Sequence, residues 1–281
     1  MPSLVDKFKR QVHERRHWIK WTVYTLLLIN FGYYIWEDWV VAAHTLRQGG
    51  TLFDWTASFA NSIDETAWFV LLALFELETY VIPDEAFTPA IERKLHAGRI
   101  VCYVFLTHTI FAYAVNVVDL ERKVTVVPGV DSLCELTDQE ISFTSTMKYT
   151  LIDAENCAEL SDASEFYQMV VESVVTDARG LAIEKELGWV DLIEAVVWLL
   201  IVWTIEIEVR LQNRDIASGP LIRATNTVKG LLYGLLFVAM GYWAFRGLWL
   251  YVWDELVWIG GFAVIEMNVS EWRDELLEEA S

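Results

Sequence analysis

Asp64-Glu65-Thr66-Ala67-Trp68 opens an apolar stretch that closes on Phe75-Glu76-Leu77-Glu78-Thr79-Tyr80. Asp191-Leu192-Ile193-Glu194 opens a second, which closes on Trp203-Thr204-Ile205-Glu206-Ile207-Glu208-Val209-Arg210. Each has acids at its head, a core of Leu, Val and Trp, and a Glu-x-Glu pair near its tail. Apolar runs of about 20 residues are long enough to cross a bilayer as helices. Ionisable groups at that depth are costly, so they face partners or a water-filled cavity and mark function by default.

The rest of the chain supports the membrane reading. Of its 281 residues, 54% are hydrophobic and 14 are tryptophan, and mean hydropathy is +0.31. Indole rings settle at the two interfaces of a membrane. The formal net charge of −19 argues against nucleic acid and anionic headgroups as partners, since both attract basic surfaces.

Taken in order, residues 1–17 form a basic amphipathic cytosolic segment, with Leu4, Val5, Phe8 and Val12 on one face. Spans are expected at 18–36, 64–82 (stopped by Pro83), 99–118, 188–209 and 229–253. Residues 37–63 read as a loop lying along the interface. Lys and Arg concentrate before the first span and after the second and fourth. This places the N-terminus in the cytosol and the C-terminus outside a cell membrane.

Residues 119–187 then form a small acidic extracytoplasmic α+β domain. Lys123-Val-Thr-Val-Val127 and Ile141-Ser-Phe-Thr-Ser-Thr146 alternate like strands, and residues 162–186 read as more helical. Cys134 and Cys157 share this segment and are expected to form a disulfide, closing a loop of about 23 residues for roughly 3 kcal/mol. The acidic tail 255–281 contains Val257 to Ile265, too short to span and therefore re-entrant or interfacial.

An internal repeat is also expected. Lys20, Tyr24, Leu26, Leu27, Gly32 and Tyr33 match Lys229, Tyr233, Leu235, Leu236, Gly241 and Tyr242, and both runs close on an acidic pair, Glu37-Asp38 and Asp254-Glu255. With the two even spans alike, the pattern implies a two-helix unit, and transport proteins are commonly built from such repeats. The fold class read from sequence is thus an all-α integral membrane protein with about five transmembrane helices.

Trp203-x-x-Glu206-x-x-x-Arg210 places an aromatic, an acid and a base on one helix face, and Phe75-x-x-Glu78 repeats its first half. This resembles the second helix of voltage-sensor domains in the cation-channel superfamily. The spans at 18–36, 64–82 and 188–210 resemble the first and second helices of such domains. The resemblance implies an aromatic-acid charge-transfer centre. The chain has no arginine-repeat sensor helix and no Thr-Val-Gly-Tyr-Gly filter.

The candidates for an ion path or gate are Glu76, Glu78, Glu206, Glu208, Arg210, Arg246 and His108. Residues two apart point in different directions, so one acid of each pair faces inward, and Glu78 and Glu206 are the expected members. Arg246 lies about 25 Å along the fifth span, either snorkelling or pairing with Asp191 or Glu194. His108, mid-span between two threonines, reads chiefly as a packed, hydrogen-bonded residue.

No metal, Walker, dinucleotide or nucleophile-elbow motif is present, so neither an enzyme nor a cofactor is expected. The expected function is an oligomeric cation channel or ion transporter, with the bilayer, cations and copies of itself as partners. The alternative is a non-catalytic accessory or scaffold subunit of a larger membrane complex.

Overall fold

The computed structural model describes residues 4–78, 82, 88–212, 214, 216 and 218–279, by backbone alone at 4–17, 19–20, 212, 264–265 and 267–279. Pro83 and the acidic end of the tail's side chains lie outside this description, as do the side chains of the basic segment 4–17. The helices are α1 (Leu4–Thr45), α2 (Leu52–Ser58), α3 (Ala60–Glu76), α4 (Pro89–Arg122), α5 (Ala178–Gln212), α6 (Pro220–Arg246) and α7 (Trp249–Glu279). Five strands lie between α4 and α5: β1 (Thr125–Val126), β2 (Ser142–Ser145), β3 (Lys148–Leu151), β4 (Phe166–Gln168) and β5 (Val174–Asp177).

The expected all-α, five-span fold is overturned on two points. The strands form a five-stranded mixed sheet, ordered β1-β4-β5-β2-β3. Among the described residues, two helices, α4 and α6, are long and apolar enough to cross a membrane. An apolar run by itself does not show how far its helix extends. The run after Asp64 gives only the 17-residue α3, while those near 18 and 188 sit within longer helices, α1 and α5, that carry buried Asn30, Asp38, Glu184 and Glu208.

Residues 1–32 with 196–281 form one compact unit and residues 33–195 a second. In the first, α6 starts on Pro220, which fits the first turn because its missing N–H has no helical partner there. It ends at Gly247, whose φ of +78° provides a left-handed cap. That cap breaks the run expected to continue to Trp253, and with it the gapless match to 18–36. The stretch Val257–Ile265, expected as a re-entrant element, is instead part of continuous α7.

In the second unit, Glu37–Thr45 is helix rather than loop and completes α1, and α2 follows behind a Thr51–Asp54 capping box. The sheet domain has its own core of Leu133, Leu136, Ile141, Phe143, Ile152, Phe166 and Val175. The Cys134–Cys157 disulfide is formed, and Cys157 is part of that core. The strand expected at 141–146 is β2 and that at 123–127 contains β1. Residues 162–186, read as helical, hold β4 and β5 before α5 begins. β5 owes its place to parallel pairing with β2, a partner some 30 residues away that local pattern does not reveal.

The passage from β5 into α5 is tight. Asp177 Oδ1 accepts the backbone N–H of Gly180 at 2.7 Å, a helix cap. A Cβ on Gly180 would meet Thr176 Oγ1 at 2.1 Å and the Thr144 carbonyl at 3.2 Å, so glycine alone fits.

α4 and α6 leave apolar faces uncovered. Ile100, Val101, Val104, Phe105, Phe111 and Val118 are exposed on α4; Leu231, Leu235, Phe237, Val238 and Phe245 are exposed on α6. Contiguous apolar exposure on this scale marks a membrane or protein contact rather than a water-facing surface.

Candidate functional site

The strongest concentration of buried charge is in the first unit, on α5, α6 and α7. Lys229 lies well inside α6 and is only 7% exposed. Its Nζ is 2.6 Å from Glu208 Oε2 and also donates to Glu266 of α7. Glu208 is 2% exposed, and its second oxygen accepts the Thr225 hydroxyl at 2.8 Å. Thr225, Lys229 and Tyr233 recur at intervals of four, so helical geometry places all three on one face of α6. The Tyr233 hydroxyl is buried with no hydrogen-bond partner among the described residues, and it lies within electrostatic range of Glu266.

This arrangement settles which member of the Glu206/Glu208 pair is buried. It is Glu208. Glu206, the expected inward member, is engaged by Arg210 on its own helix at 3.3 Å, with Arg210 largely exposed. A surface pair of that kind contributes little, typically a few tenths of a kcal/mol.

A second group of polar residues on the same unit surrounds Trp198. Its indole N–H donates to Glu255 Oε2 at 3.1 Å, and its ring meets Tyr233 edge-on, centroids 6.4 Å apart. Beside Glu255, Asp254 accepts from Asn30 Nδ2 at 2.7 Å. Arg246, at the end of α6, donates its Nε to the Tyr242 hydroxyl at 2.9 Å. Its guanidinium lies over the Tyr242 and Phe245 rings, a cation–π arrangement.

The remaining candidates fall in the second unit. Glu78 is ion-paired with Arg99 of α4, and Glu76, half-buried, is the last residue of α3. Glu78 and Glu206 are thus each matched to a cation of their own unit. His108 meets Phe53 edge-on, ring centroids 6.0 Å apart. Its Nε2 is buried with no hydrogen-bond partner among the described residues, whereas a hydrogen-bonded histidine was expected.

Two polar clusters in this unit were not foreseen. Buried Asp38 accepts from the Ser62 N–H at 2.9 Å, the Ser62 hydroxyl at 2.7 Å and Asn61 Nδ2 at 3.3 Å. Tyr113 in turn donates to Asn61. Burial raises the Asp38 carboxyl to about 6, against the opposing pull of its Ser62 and Asn61 hydrogen bonds.

At the end of α1, His44 Nδ1 is 2.8 Å from Ser142 Oγ and stacks on Tyr149. The His44 carbonyl accepts from Ser173 Oγ, and Arg47 reaches the Glu140 carbonyl. Burial, then the nearby Arg47, lowers the His44 pKa. A His–Ser pair invites comparison with hydrolases, but Ser142 is 0% exposed and no substrate carbon can approach it. The pair fastens the sheet domain to α1.

Among the described residues no three His, Cys, Asp or Glu converge on a metal-sized site. Lys229, Glu255, Glu266, Trp198 and Asn30 were missed as site residues. In sequence, Lys229 reads as one of the cations that follow the fourth span. The available signal was its spacing of four from Thr225 and Tyr233, which puts the three on one helix face. No family model, curated protein or solved structure matches the chain.

Proposed function

We propose that the protein moves cations across a membrane, with Glu208, Lys229 and Glu266 as its charge-handling centre. One observation carries this reading. A lysine held between two carboxylates is enclosed on α6, a helix long and apolar enough to cross a bilayer. A cluster built only for packing is more cheaply made from apolar side chains, because buried ion pairs rarely recover their desolvation cost. Ionisable groups in such helices mark ion or proton pathways by default.

The test is flux into liposomes holding the purified protein, under gradients of protons, sodium and potassium. Glu208→Gln keeps the shape and the Thr225 hydrogen bond while removing the charge. Cation flux in the wild type that is lost in Glu208→Gln supports the proposal. Absence of flux in the wild type under every gradient and potential removes it.

A second reading, an accessory subunit of a membrane complex, is favoured by the exposed apolar faces of α4 and α6. Glu78–Arg99 and Glu206–Arg210 are also neutralised pairs, as a scaffold needs. No flux, together with one partner protein recovered in fixed ratio, would favour it.

A further inference from the structure

Glu255 of α7 is a buried acid. It is 4% exposed. Its Oε2 accepts from Trp198, while its Oε1 is buried and has no hydrogen-bond partner among the described residues. The next residue, Asp254, is also buried and carries the Asn30 hydrogen bond. Facing Glu255 from α5 is the Trp198 indole, which bears no charge, and the titratable neighbour on α7 is Asp254, a like charge. Among the described residues no Lys, Arg or His forms an ion pair with Glu255.

Two adjacent buried carboxyls cannot both be ionised cheaply. Desolvation and mutual repulsion each favour the neutral form of one of them. What Glu255 lacks among the described residues is a partner at Oε1. A calcium or magnesium ion takes six or more oxygen ligands, and no such convergence of acids is found among the described residues. A proton needs one oxygen.

We infer that Glu255 is a proton-holding carboxyl with its proton on Oε1, and that the cation handled by this helical unit is the proton. The identity of the cation rests on the transport reading above; the protonation of Glu255 does not. Glu255 and Glu266 are eleven positions apart on α7, about 16 Å at 1.5 Å per residue. Trp198 donates to Glu255 and meets the Tyr233 ring edge-on, and Tyr233 is within electrostatic range of Glu266. Uptake converts the Glu255 carboxylate to the acid, and release returns the carboxylate. The Trp198 hydrogen bond to Oε2 is kept in both states.

The experiment has two arms on the full-length protein in lipid. Infrared difference spectra between acidic and alkaline buffer read the carbonyl stretch of a protonated buried carboxyl. The inference expects that band in the wild type and its loss in Glu255→Gln, an isosteric change that still accepts from Trp198. Asp254→Asn is the control, and the band should persist in it. A band unchanged in Glu255→Gln overturns the inference.

The second arm measures proton flux with a pH-sensitive dye trapped in the vesicles. Glu255→Gln should slow it on the order of 100-fold, the low end for losing a positioned proton-transfer group. Flux carried by sodium or potassium, and indifferent to Glu255→Gln, overturns the proton as substrate. Loss of the band in Glu255→Gln with no flux in the wild type would remove the transport reading and leave Glu255 as the proton-holding group.

Discussion

The sheet domain and the Lys229 cluster hold buried polar groups in opposite ways. In the sheet domain, polar side chains meet backbone and hydroxyl partners. Thr176 donates to the Thr144 carbonyl, Ser173 to the His44 carbonyl, and Glu184 accepts the Met147 N–H at 2.8 Å. Its stability comes from an apolar core and a disulfide. In the cluster on α5, α6 and α7, buried groups are themselves charged, and they partner one another: Glu208, Lys229 and Glu266. A stable fold can do without that second arrangement, and so it carries the functional proposal.

The comparison can be broken at its most expensive point. Lys229→Met leaves two buried carboxylates without their cation and should destabilise the protein by about 3–5 kcal/mol, read as a fall in thermal midpoint in detergent. A loss below about 1 kcal/mol would mean the cluster is wet and behaves as a surface pair.

On the other side, Cys134→Ala with Cys157→Ala opens a loop of 23 residues. It should cost about 3 kcal/mol and should act on the sheet domain, measured as faster proteolysis within residues 123–177. An unchanged proteolysis rate would mean the apolar core alone holds the sheet.

Asp38 gives a pH-dependent test. Its folded carboxyl is raised to about 6 by burial, so the folded state binds this proton more tightly than the unfolded chain does. The contribution is fully present below the ordinary carboxylate range and is lost as pH rises through about 6. Compared with Asp38→Asn, the wild type should lose about 3 kcal/mol across that window, and a flat difference would contradict the burial of Asp38.

The smallest effect is a gain. Thr146 and Met147 both have positive φ, 57° and 61°, forming the two-residue turn between β2 and β3. Such turns favour Asn-Gly. Thr146→Asn with Met147→Gly should stabilise by about 1 kcal/mol, seen as a higher thermal midpoint. A lower one would mean that the native side chains contribute more than the turn strain costs.

What was legible in sequence follows from range. The disulfide, the two most apolar helices and the strands beside Lys123 and Ile141 rest on local pattern. The parallel β2–β5 pairing was not legible, because its partners are far apart in the chain. Nor was the breadth of the α-helices, since apolar runs near 18 and 188 say nothing of the polar residues that extend them. In the site, the Glu-x-Glu spacing correctly required that the two acids differ in direction. It did not say which one turned inward, and only the position of Lys229 on α6 decided for Glu208. Glu255 was hidden by its place in an acidic stretch read as an external tail.

The most direct measurement replaces the whole cluster. A triple variant, Glu208→Leu, Lys229→Met and Glu266→Leu, removes every charge and leaves no carboxylate stranded. Buried ion clusters exchanged for apolar residues of similar size are often as stable or more so. The account predicts a protein that folds with an undiminished thermal midpoint but no longer moves cations into liposomes. A folded triple variant with wild-type flux would contradict it, and the cluster would then be packing alone.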